Sequence, residues 1–133
     1  MNRLEAPLSV LATLLIASML ACDYSMDAQR DMRRTDLLKT YPPGKTSRVQ
    51  VRAKLATEPD FSEIRPEGGW ERVARPDVRM SALASEERTG KTVQRSERYW
   101  GPDPTRFLGL EYKWFFYDEA DLVTDVDWQY CSD

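Results

Sequence analysis

The chain has 133 residues, with 19 basic and 22 acidic side chains, a formal net charge of −3 and no histidine. That length supports one small domain with a modest core. The lack of histidine removes the commonest general base and the commonest metal ligand, and the balanced charge gives no reason to expect a nucleic-acid partner.

Residues 1–21 read as an address label. Arg3 opens a thin charged region, and Leu8 to Leu20 is an uncharged apolar run of 13 residues. A membrane-spanning helix needs ~20, so the run fits a signal-peptide core better than a permanent anchor. It ends at Ala21-Cys22, a small residue before cysteine, where bacterial lipoprotein signal peptides are cut and the thiol takes up lipid. Met19 and Leu20 depart from the usual residues of that box. The expectation is a signal peptide over 1–21, lipidation at Cys22, attachment to the membrane through it, and a periplasmic domain in a bacterial envelope. Cys131 then reads as a small apolar residue. A Cys22–Cys131 disulfide is the competing reading if Cys22 is not processed.

Residues 22–43 read as the lipidated cysteine and a tether, with a short helix over 28–39 stopped by Tyr41-Pro42-Pro43-Gly44. A single domain follows over 44–133. Residues 46–56 fit two patterns. Val49, Val51, Ala53 and Leu55 alternate as in a strand, whereas an N-cap at Thr46 or Ser47 and the spacing of Val51 and Leu55 suit a helix. Pro59 to Gly69 reads as a loop, Trp70 to Ala74 as a short strand, and 75–91 as irregular or weakly helical, closed by Gly90. Thr92 to Trp100 reads as a strand.

The last third has the strongest pattern. Leu110, Tyr112, Trp114 and Phe116 alternate, as do Leu122, Thr124, Val126, Trp128 and Tyr130, around a turn at Asp118 to Asp121. This predicts a β-hairpin with the loop Glu119-Ala120-Asp121, Asp121 being left-handed. Placing both large apolar sets on one side sets Trp114 opposite Val126, Tyr112 opposite Trp128 and Lys113 opposite Asp127. Phe115, Tyr117 and Val123 then form an apolar patch on the other face, a candidate interaction surface covered either by a helix of this chain or by a partner. The fold class expected is α+β: one or two short helices on a small antiparallel sheet ending in a C-terminal hairpin.

No motif for chemistry emerges. Gly-Lys-Thr at 44–46 and 90–92 lacks the preceding glycine of a phosphate loop, since Lys39 and Ser85 stand there. Asp118, Glu119, Asp121, Asp125 and Asp127 lack the ligand spacing of a calcium loop and read as a solvated outer strand. No serine or cysteine has a neighbouring base. Neither a catalytic residue, a metal site nor a cofactor is expected. The charges are unevenly spread: residues 23–106 hold 17 basic against 14 acidic side chains, while 107–133 hold Lys113 against seven acids. A basic body and an acidic end of this kind attract each other.

From Gly44 onward, Gly44, Thr46, Val51, Leu55 and Pro59, followed by an aromatic hairpin with an acidic turn, resemble the SmpA/OmlA-type lipoproteins related to the BamE subunit of the outer-membrane β-barrel assembly machinery. The resemblance covers roughly residues 44–130, with Ala56 where that family usually has glycine. It implies two short helices beside a three-stranded antiparallel sheet, and a non-catalytic assembly role with a protein partner in the envelope. The second reading from the residues is a lipid-anchored module that binds a small ligand or divalent cation at the acidic outer strand.

Overall fold

The computed structural model describes residues 27–102 and 109–131. Cys22, the apolar run before it and the stretch 103–108 lie outside them, and so does the side chain of Cys131. The chain divides into two compact units, Met1–Met32 and Arg33–Asp133. Of the first, residues 27–32 are described and are helical.

The second unit is α+β. It opens with helix α1 over residues 33–40, whose last turn is closed by the Tyr41 N–H donating to the Leu37 carbonyl at 2.8 Å. Pro42-Pro43 cannot continue it. Helix α2, Arg48–Leu55, settles the ambiguity of 46–56. Ser47 and Gln50 form a reciprocal capping box. The Gln50 N–H donates to Ser47 Oγ at 3.2 Å, and the Ser47 N–H donates to Gln50 Oε1 at 2.8 Å. Ala56 ends the helix in the left-handed region at φ 55°. Strand β1, Phe61–Ile64, lies inside the stretch expected to be a loop. Trp70–Arg72 is a 3₁₀ turn in place of the expected strand, with the Trp70 indole N–H donating to the Val93 carbonyl at 2.8 Å. Helix α3 runs over Pro76–Thr89, longer and more regular than its sequence suggests. Pro76 opens it, and Gly90 closes it at φ 68°, where an L side chain would be strained.

Strands β2 (Arg95–Pro102), β3 (Leu110–Tyr117) and β4 (Val123–Cys131) complete an antiparallel sheet in the order β1-β2-β3-β4. The resemblance implied three strands and two helices, whereas this sheet has a fourth strand and this unit a third helix.

The hairpin loop is as expected. The Asp118 N–H donates to the Leu122 carbonyl at 3.0 Å, Asp121 sits at φ 57°, and Tyr117 pairs with Val123. The register beyond it is not. An irregularity at Phe116/Tyr117 leaves Thr124 as the extra residue of a bulge, so Trp114 pairs with Asp127, Phe115 with Val126 and Lys113 with Trp128. One inserted residue exchanges the faces of everything after it. Trp114 and Tyr112 therefore lie on one face, while Val126 and Trp128 join Phe115 on the other.

Both faces are covered. Phe115, Tyr117, Val123, Val126, Trp128 and Tyr99 pack against Leu37 of α1, Tyr41 and Val51 of α2. Trp114 and Phe116 pack against Trp70, Val73, and Val78 and Ala82 of α3. Neighbouring residues of a strand point to opposite sides, so the run Trp114-Phe115-Phe116-Tyr117 feeds both cores, and all four side chains are fully buried. Leu37 and Tyr41 belong to this interior. The folded unit thus begins before residue 44, and its first part, 33–43, is not a tether.

The free edge of β4 is capped at its start by the chain itself. Val123 donates to the Thr46 carbonyl at 2.9 Å and accepts from the Gly44 N–H at 2.8 Å, while Arg34 Nε donates to the Val126 carbonyl at 3.1 Å. Such capping protects an edge strand from pairing with other chains.

Candidate functional site

Phe115, Tyr117 and Val123 are not a surface. All three are fully buried beneath α1 and α2, with Tyr41 and Tyr99 meeting the Phe115 ring edge-on at 5.0 and 5.6 Å between centroids. The patch read from the sequence exists, but helices of the chain itself cover it. Cys22, the expected lipid site, lies outside the described residues.

The acidic end is also placed differently from its reading as a solvated strand. Asp125 is 1% exposed and Asp127 3%. Asp125 is held from both helical layers. Its Oδ1 accepts from Arg34 Nη2 at 2.7 Å, and its Oδ2 accepts from Arg88 Nη2 at 2.6 Å and from Ser85 Oγ at 2.8 Å. Asp118 shapes the turn, its Oδ1 accepting from the Ala120 and Leu122 N–H groups at 2.9 and 3.0 Å. Lys113 pairs with Glu111 at 3.3 Å and not with Asp127.

Another buried carboxylate lies under α2. Glu97 is fully buried; it accepts from Arg48 Nε at 3.2 Å and from Ser62 Oγ at 2.7 Å, with Arg52 Nη2 3.5 Å away. Beside it, burial together with the Glu97 charge pushes the Tyr99 phenol up to about 12, and burial raises Tyr117 further still. Both phenols remain neutral in ordinary conditions and cannot serve as bases. Glu111 is a further buried acid, accepting from Trp128 Nε1 at 2.7 Å.

This network of buried acids and arginines is the feature that residue-by-residue reading missed. Its partners are far apart in sequence; the opposed charge of the two chain regions signals the Asp125 part alone, since Glu97 and its arginines all lie within 23–106. Asp125 and Glu97 spend their oxygens on guanidinium and hydroxyl groups of the same chain, which suits holding layers together. Asp125-Val126-Asp127 therefore does not present a free pair of carboxylates to a cation. Among the described residues, no group of three acidic or cysteine side chains converges as a metal site would require.

The concave surface is shallow. Two cavities of about 210 and 260 Å³ flank the Glu111–Lys113 pair, one bounded by Trp128 and Leu37, the other by Tyr99 and Leu55. A third, of about 380 Å³, lies between Tyr41 and α2 and is edged by Lys45 and Lys54. An open hollow of about 560 Å³ adjoins the hairpin turn beside Lys91 and Glu119. The two Gly-Lys-Thr triplets serve turns, with Gly44 and Gly90 at φ 75° and 68°.

No family model, no curated protein and no solved structure matches this chain.

Proposed function

We propose that this chain is a lipid-anchored protein of a bacterial envelope, attached through Cys22, with a non-catalytic structural or assembly role toward a protein partner on the periplasmic side. The observation that carries the reading is the uncharged run Leu8 to Leu20 ending at Ala21-Cys22. The folded unit supports the reading in one respect: the buried acids Asp125 and Glu97 spend their oxygens on arginine and serine side chains of the same chain, which suits holding its layers together.

Intact mass spectrometry of the protein from its own envelope should give a chain beginning at Cys22 and carrying acyl groups. Cys22→Ser should abolish both the cleavage and the acylation. Several acyl chains are expected, because one alone binds a membrane only marginally. An unmodified Cys22 or cleavage at another bond would refute the anchor. The assembly role predicts that the acylated protein, extracted in mild detergent, co-purifies with a stable envelope partner.

A further inference from the structure

We propose that the outer side of α2, together with the hollow between it and Tyr41, is a docking surface for the anionic headgroups of a membrane leaflet. The inference rests on the lipid-anchor reading for the presence of a membrane close by, and on the local charge of residues 33–57 for the contact itself. Residues 33–57 hold seven basic side chains against the single acid Asp36, and α2 contains no acid at all. Arg33 lies over the Trp128 ring at 5.8 Å, and the other six divide by direction. Arg34, Arg48 and Arg52 pair with the buried Asp125 and Glu97, Arg48 and Arg52 also reaching the exposed Asp121 and Glu58 at 3.9 and 3.4 Å. Lys39, Lys45 and Lys54 are exposed, and no described carboxylate pairs with Lys45 or Lys54.

Lys45 and Lys54 edge the hollow of about 380 Å³, whose wall includes Gln50 and Tyr41, with Lys54 Nζ 5.4 Å from the Tyr41 ring centroid. A lysine near an anionic leaflet contributes about 1 kcal/mol, or roughly fivefold in binding. Two therefore give roughly 25-fold, a useful second attachment for a domain already tethered by lipid.

The test uses the full chain carrying Cys22→Ser, so that binding does not depend on acylation. Sedimentation with phosphatidylcholine vesicles, with and without phosphatidylglycerol, should show stronger binding to the anionic set that weakens as salt is raised. Adding Lys45→Gln with Lys54→Gln should reduce anionic binding roughly 25-fold, leave binding to neutral vesicles unchanged, and keep the melting temperature. Undiminished anionic binding by that variant would overturn the proposal. So would complete displacement of the parent chain by millimolar inorganic phosphate, which would assign the hollow to a soluble anion. Failure of the acylation experiment alone would refute the anchor while leaving the charge-dependent binding intact.

Discussion

At Asp125 the sign of the electrostatics can be argued from exposure. The carboxylate is 1% exposed, while the Arg34 and Arg88 side chains that hold it are 27% and 30% exposed. Removing the acid leaves two cations that can turn toward water, so Asp125→Ala should cost about 1–3 kcal/mol, the usual loss for a buried charged hydrogen-bonding group. Removing both arginines leaves an uncompensated buried carboxylate, and Arg34→Ala with Arg88→Ala should cost about 3–5 kcal/mol. Urea denaturation of the two variants should show that order, and the reverse would mean that water reaches Asp125. Tyr99 gives a second test at this scale. Its phenol, near 10 when unfolded, is pushed up to about 12 by burial and by Glu97. Between those values the unfolded chain has lost the proton that the folded chain keeps. Stability is therefore undiminished below pH 10 and falls as pH rises through 12. At pH 11 the loss from Tyr99 alone is about 1.4 kcal/mol. Tyr99→Phe should make the decline in urea midpoint between pH 9 and pH 11 less steep, with Tyr117 and Tyr41, both raised by burial, contributing to what remains.

At the scale of elements, the end of α2 carries avoidable strain. Ala56 occupies the left-handed region at φ 55°, which costs an L residue about 1 kcal/mol that glycine does not incur. Glycine also gives up more freedom on folding, so the net gain from Ala56→Gly should be about 0.5 kcal/mol, read as a small rise in melting temperature. Elements whose cause is local were legible in the sequence: the Asp118–Asp121 turn, the stop at Pro42-Pro43, the Gly90 cap, and Ser47 as an N-cap whose helix competed with a strand pattern. Elements fixed by distant partners were not. The segment Phe61–Ile64 is four residues long and is a strand because β2 pairs with it. Helix α3 has few large apolar residues and is held by Val78 and Ala82 against Trp70, Trp114 and Phe116. The Thr124 bulge left no sequence mark, since alternation continues unbroken through Leu122, Thr124 and Val126; yet it moved Val126 and Trp128 to the other face. The choice of one apolar face failed for a related reason. Four aromatic residues in a row, 114–117, signal a strand buried on both sides, and that run was the available clue to a second helical layer.

At the scale of the whole unit, the sheet depends on helices on both sides, which makes the position of the N-terminal boundary a physical question. A chain starting at residue 44 would lack Leu37 and Tyr41. Their removal opens the face formed by Phe115, Val126 and Trp128, takes away the edge-on contact of Tyr41 with Phe115 at 5.0 Å, and leaves Asp125 with one arginine in place of two. Exposing a buried aromatic and a buried leucine costs on the order of 2–5 kcal/mol each, comparable to the entire stability of a domain this size. The chain beginning at residue 44 should therefore melt without a sharp transition, lose the near-ultraviolet signal of its packed tryptophans and bind an apolar dye. The chain beginning at residue 23 should unfold cooperatively and bind little dye. Calorimetry and near-ultraviolet circular dichroism on the pair decide the matter. Equal melting temperatures would show that α1 is dispensable and that the sheet face beneath it is stable when bare. The expected difference would make α1 part of the fold.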